Sequence, residues 1–328
     1  AGSGIAVEGS GWTVSTNRMN WTEPLVLSGS GEGGLTLSNS LVGTGAVTVA
    51  TYGTYVLAVS NAFNGAITVN ADGAGKLRVD HAWGLGQTNP VTVSNGTLHA
   101  KVATFNFGDT GQSGRRGLIT GASSLWTNAA LTVGGAVGAS NNMLTVEKQG
   151  RLVTAGALSV GSGGYQGNTL LVTNAGVVKA ASSAMGNTNN LIRVTGTNSL
   201  FDSGTMTMSG VGNTIILDQA AVATNAVMSM AAASVSNTII MTNGAIVHGA
   251  VNSGGNDGRA WISGQGTLVN GTVNVGSAGG TNCETRLADR AQAIGPIYVG
   301  AAGIGTKPAP GSRLVVDNAI GSATLLSV

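Results

Sequence analysis

Apolar and polar residues alternate along most of this chain in short runs. Leu35-Thr-Leu37, Val47-Thr-Val49, Ile67-Thr-Val69, Leu77-Arg-Val79, Val91-Thr-Val93, Leu131-Thr-Val133, Leu158-Ser-Val160 and Val273-Asn-Val275 each set one polar residue between two apolar ones. A period of two is that of a strand with one side buried and the other wet. Gly, Asn and Ser separate the runs, so the pattern predicts many narrow strands closed by tight turns.

A longer period is laid over the short one. Asn142-Met-Leu144-Thr-Val146, Asn168-Thr-Leu170-Leu171-Val172, Asn190-Leu191-Ile192-Arg-Val194, Asn213-Thr-Ile215-Ile216-Leu217 and Asn237-Thr-Ile239-Ile240-Met241 recur every roughly 21 to 26 residues, the spacing of stacked repeats. In three of the five copies a glycine follows (Gly150, Gly176, Gly244) and a second apolar run begins just beyond it. Each unit reads strand, tight turn, strand. It is too small to bury a core alone, so it must lie on a neighbour of the same kind. The expected fold is all-β, a parallel β-helix (β-solenoid) forming a single elongated domain. With coils about 4.8 Å apart and roughly a dozen of them, the body would be on the order of 60 Å long. Asn142, Asn168, Asn190, Asn213 and Asn237, stacked at one corner, are expected to hydrogen-bond amide to amide and lock the register.

A second phrase is interleaved with the first: Ile119-Thr-Gly121-Ala-Ser-Ser-Leu125-Trp126, Val194-Thr-Gly196-Thr-Asn-Ser-Leu200-Phe201 and the weaker Ile262-Ser-Gly264-Gln-Gly-Thr-Leu268-Val269. The copies lie roughly three coils apart, which places Trp126 and Phe201 at equivalent wide points of the core. Three segments follow. Residues 1–30, with Trp12, Met19 and Trp21, are expected to form an N-terminal capping or interface coil. Residues 31–304 make the solenoid body. Residues 305–328 combine a linker containing Pro308 and Pro310 with a C-terminal strand arm, since proline cannot donate to a ladder. In residues 281–292 charged side chains cluster and β-branched ones thin out, predicting a loop or one helical turn.

Composition sharpens this picture. Fifty-four glycines and few aromatics among 328 residues favour tight corners. Only 9% of residues are charged and the formal net charge is +2, which leaves little field to steer nucleic acid. A surface of Thr, Ser, Asn and Gly repels its own copies weakly, as suits a protein that associates. The lone Cys283 allows no internal disulfide and is expected to be buried. No apolar run approaches the roughly 18 residues of a membrane span, and a start at Ala1 without a charged leader fits removal of a signal peptide.

Residues Tyr55 to Ala100 carry a further pattern: Val56-Leu57-Ala-Val59, Asn61, Phe63, Gly65, Ile67, Val69, Gly75, Leu77, Val79, Leu85-Gly86, Val91, Val93, Gly96 and Leu98. In this order the stretch resembles the autotransporter-associated β-strand repeat of secreted bacterial passenger domains, and residues 118 to about 270 are similar to looser repeats of the same group. The resemblance implies a right-handed parallel β-helix exported from a Gram-negative-type cell. Ala71-Asp72-Gly73 lengthens one turn relative to the family pattern, and residues 1–328 include no stretch read as the membrane barrel of a complete autotransporter, so the expectation is either that a barrel was removed or that secretion takes another route. The resemblance brings no catalytic residues.

Candidate chemistry is sparse. Acid–base catalysis on polysaccharide needs paired carboxylates, and the pair that stacking could unite is Asp202 with Asp218. His81, His99 and His248 are too scattered for a metal site and read as surface or turn residues. Asn252-Ser-Gly254-Gly255-Asn256-Asp257-Gly258 is rich in oxygen donors but reads as a plain turn, because it occurs once. Arg115-Arg116 reads as a solvated pair. No catalytic, metal or cofactor site is assigned, and the chain is not expected to be an enzyme.

The expected function is that of a secreted, extracellular or cell-surface structural protein whose subunits join end to end into a filament, sheath or surface layer. The candidate assembly strand comprises Arg313, Leu314, Val315, Val316, Leu325, Leu326 and Val328. The partners are copies of itself, with cell-surface or carbohydrate contact as a further option and no nucleic acid or membrane insertion. The alternatives are a monomeric adhesin or passenger spacer and a carbohydrate-active β-helix enzyme.

Overall fold

The computed structural model is a parallel β-solenoid with no helix among the described residues. The structure describes residues 3–7, 11–15, 19–72, 75–82, 84–85, 90–108, 111–162, 166–277, 280–299, 310–322 and 326–327.

Each coil runs along up to three faces. The first face is a 14-stranded sheet that begins with Ser3–Val7 and Leu25–Gly29 and ends with Glu284–Ala288 and Arg313–Asp317. Thirteen spacings of about 4.8 Å give a body about 60 Å long. The second face carries strands such as Thr54–Leu57, Lys76–Val79 and Leu125–Asn128, and the third carries Phe105–Phe107 and Leu131–Val133. In five central coils these two faces fuse into single bent strands: Arg151–Val160, Val177–Met185, Leu200–Met208, Val222–Met230 and Ile246–Gly254. Each bent strand pairs with separate short strands or with another bent strand, always parallel and always in the next coil. The hydrogen bonds thus run along the axis, and the sheets do not close into a barrel.

Alternation selects the core. On the first face one inward row runs Leu144, Leu170, Ile192, Ile215, Ile239, Ala260, and its neighbour runs Val146, Val172, Val194, Leu217, Met241, Ile262; all are buried. Burying such a side chain stabilises by about 1.5–3 kcal/mol, and stacking like on like lets every coil supply the floor of the next. On the second face the strand register puts Trp126, Leu152, Val178 and Phe201 in one row. Both aromatics are buried, three coils apart, as the repeated phrase predicts. Phe105 and Phe107 meet Trp126 edge-on, with ring centroids 5.9 Å apart in each pair.

The corner between the first and second faces is made by two successive left-handed residues, as at Lys148-Gln149, Asn174-Ala175, Gln219-Ala220 and Asp289-Arg290. In the coils of the second phrase Gly121, Gly196 and Gly264 take the left-handed turn, with φ of 95°, 92° and 94°. Few side chains tolerate that backbone.

The structure corrects the reading of residues 281–292. Glu284–Ala288 and the start of Gln292–Ile294 are strands of the first and second faces. Thr285 and Leu287 point inward and are buried, while Glu284 and Arg286 occupy outward positions. The charges that hid the period of two belong to its wet side.

Candidate association surfaces and polar ladders

The Asn ladder is present. Asn142 Nδ2 donates to Asn168 Oδ1 at 3.0 Å, Asn168 Nδ2 to Asn190 Oδ1 at 3.2 Å, and Asn190 Nδ2 to Asn213 Oδ1 at 3.2 Å. The same oxygens also accept backbone N–H groups: Asn142 N–H donates to Asn168 at 3.1 Å, Asn168 N–H to Asn190 at 2.9 Å, and Asn190 N–H to Asn213 at 2.9 Å. Asn213 N–H continues the series to Asn237 Oδ1 at 2.8 Å. The ladder ends there, because Gly258 precedes the next strand of that face and Asn237 Nδ2 has no partner.

At the other end the position before the strand is held by Arg115, and this overturns its reading as a solvated residue. Arg115 is 2% exposed, its N–H donates to Asn142 Oδ1 at 2.9 Å, and its guanidinium carbon lies 4.8 Å from the Phe107 ring centroid. A cation packed on an aromatic face offsets part of its desolvation. Arg116 is exposed at the start of its strand.

A second ladder went unread in the sequence, although its residues lie inside the repeated phrase. The hydroxyls of Ser124, Ser199 and Thr267 are buried. Each donates to the carbonyl four residues back (Thr120, Thr195 and Ser263) and accepts the N–H of Asn95, Ala175 or Gly244 from the preceding coil. The signal was the hydroxyl three residues after each phrase glycine.

The candidate carboxylates are not united. Asp202 lies on the second face, 3.7 Å from Lys179 Nζ, and Asp218 lies on the first, 2.7 Å from Arg193. His99 and His248 are exposed on second-face strands, with Nδ1 2.7 Å from Thr127 Oγ1 and 3.4 Å from Asn270 Nδ2 respectively; His81 is exposed in a turn. Asn252 to Gly254 close a strand, and Asp257 has a left-handed φ of 54°. No group of three metal-ligating side chains occurs among the described residues. Cys283 is buried, its thiol 3.0 Å from Gly255 O, and burial pushes its pKa up.

At the C-terminal end the candidate assembly strand pairs within its own chain. Arg313–Asp317 lies on Glu284–Ala288, Ile320–Ser322 on Gln292–Ile294, and Leu326–Ser327 on Ile297–Val299. Leu325 and Val328 lie outside the described residues, as does the linker as far as residue 309. The arm is therefore a last coil, fastened on its outer side by Arg313–Glu284 and Arg286–Asp317 ion pairs. Among the described residues, Arg313–Asp317 has a strand on one side only, and so has Ser3–Val7 at the other end. Val316 continues the inward row of Ile262 and Leu287 and is 60% exposed.

Comparison with known proteins finds no matching family model, no matching curated protein and no matching solved structure.

Proposed function

We propose that this chain is an extracellular structural subunit that associates end to end with copies of itself. The observation that carries this reading is Val316: a core-row residue, 60% exposed, on a strand whose far edge has no partner among the described residues. Ser3-Gly-Ile-Ala-Val7, the first strand of the same sheet, carries no charged residue and no proline to blunt its edge. The register within the chain suggests which residues would meet in such a joint. Leu314 and Val316 stand on Thr285 and Leu287, while Ser3 and Ile5 stand beneath Leu25 and Leu27. A second copy added in line sets Leu314 against Ser3 and Val316 against Ile5, and both inward rows run on across the joint.

One observation favours the monomeric spacer. Arg313 and Asp317 flank the last strand and are both exposed, and edge charges discourage pairing. Light scattering of the purified chain across a concentration series separates the two. Growth with concentration, abolished by Val316→Lys and by truncation before Arg313, is the expected result. A chain that stays monomeric throughout supports the spacer, and polymers indifferent to both changes remove the joint.

A further inference from the structure

Where the second face bends into the third, polar side chains line the inside of the coil. Asn128, Thr154, Ser203 and Asn225 are 4%, 3%, 1% and 2% exposed. The register stacks Asn128 on Thr154, Thr154 on Ala180 and Ala180 on Ser203.

The far part of this seam makes hydrogen bonds among its own members. Ser183 Oγ lies 2.7 Å from Ser203 Oγ, and Asn225 Nδ2 donates to Ser203 Oγ at 3.0 Å, although Asn225 Oδ1 has no partner. The near part makes none. Asn128 Oδ1 and Nδ2 and Thr154 Oγ1 are buried without a protein partner, and so is Nε1 of Trp126, two residues before Asn128 on the same strand. Ala180 accounts for the break, because the residue stacked on Thr154 offers a methyl where a hydroxyl or amide would bond.

Polar atoms buried in this way lose their hydration with no return, and native interiors satisfy nearly all such groups. The chemistry of the set selects the ligand. Trp126 Nε1 and Asn128 Nδ2 only donate, Asn128 Oδ1 only accepts, and the Thr154 hydroxyl does either. A cation would face N–H groups and an anion an amide oxygen, whereas a small neutral molecule that both donates and accepts suits all of them.

We propose that an ordered water molecule is bound inside the solenoid at the Asn128–Thr154 step, with the Trp126 indole as a neighbouring donor. Buried waters hold two to four polar partners, which these residues supply. The site lies where separate second- and third-face strands give way to the first fused one, so the water bridges a change in coil shape that the side chains alone leave unmatched.

Two measurements on the full chain test this. A crystal structure that resolves ordered solvent is expected to show water within hydrogen-bond distance of Asn128 and Thr154. Water–protein rotating-frame NOE spectra of the deuterated, amide-protonated chain are expected to show cross-peaks from water to the Asn128 side-chain amide and the Trp126 indole, with the sign of a long-lived complex. Replacing the pair by apolar side chains of similar shape, Asn128→Leu with Thr154→Val, is expected to abolish the Trp126 cross-peak. A direct bond between Asn128 and Thr154 in the crystal, absence of the cross-peaks from the unaltered chain, or survival of the indole cross-peak in the double variant overturns the proposal.

Discussion

Truncating one asparagine in the middle of the ladder and one at its end should have unequal effects. Asn190 is 1% exposed; its Oδ1 accepts Asn168 N–H and Nδ2, and its Nδ2 donates to Gly186 O and Asn213 Oδ1. At about 1 kcal/mol net per bond, Asn190→Ala costs about 4 kcal/mol. Asn237 also accepts one backbone N–H, but its Nδ2 is buried and unpaired. Asn237→Ala therefore loses one bond and removes a group that was already costing about 1 kcal/mol, so the two terms nearly cancel. The difference, about 4 kcal/mol, approaches a thousandfold in local opening, since 1.4 kcal/mol is tenfold. Native-state hydrogen exchange reads this coil by coil, which suits a solenoid whose unfolding need not be all-or-none. Thr197→Ala, at an exposed position, serves as the reference. Equal losses at Asn190 and Asn237, or a larger one at Asn237, would refute the idea that the ladder's energy lies in bonds between coils.

Three further outcomes are expected. A Cβ on Gly249, whose φ is 142°, would sit 1.6 Å from Asn225 O, so Gly249→Ala should destabilise by more than about 3 kcal/mol in chemical denaturation, and a loss below about 1 kcal/mol would contradict the packing at that bend. The hydrogen bond from Arg78, 2.7 Å from Nε to Oδ1, holds the Asp80 carboxyl below its ordinary range. Its contribution is thus present above the unfolded-state value of about 3.9 and is lost as pH falls through the lowered folded value. The gap in melting temperature between the parent chain and Asp80→Asn should close on acidification, and a gap independent of pH would count against the pair. Cys283, buried and with its thiol pKa raised, should react with a thiol reagent on the order of a hundredfold more slowly in the folded chain than in denaturant, as expected of a group reached through opening. Equal rates would place it at the surface.

Much of the architecture was legible because the physics of a coil is local and repeats. A strand with one wet side writes a period of two, and a stacked corner writes one asparagine per turn, so Asn142 to Asn237 located both the coil length and a ladder. The row shared by Trp126 and Phe201 was legible for the same reason. Arg115 was misread because its partner on the ring side, Phe107, is 8 residues away in sequence but lies across the coil interior. The stretch around Glu284 was misread because charge density masked an alternation that depends on where side chains point. The hydroxyls of Ser124, Ser199 and Thr267 were quoted within a repeat yet not seen as bonds, since their acceptors and donors are backbone atoms that composition does not mark. The open edges at Ser3–Val7 and Arg313–Asp317 are the least legible part: an open edge is a property of the stacked body, and no short motif encodes it.

The fused strands between Arg151 and Gly254 give the rod an uneven mechanical character. Toward both tips the second and third faces are separate short strands, which meet at turns rather than at one continuous backbone ladder. A pull applied to the chain should peel the tips first and leave the waist intact. Each coil that comes away releases chain on the order of 70 Å long, so the molecule would act as a stiff spindle with extensible ends, absorbing tension by paying out slack before its centre yields.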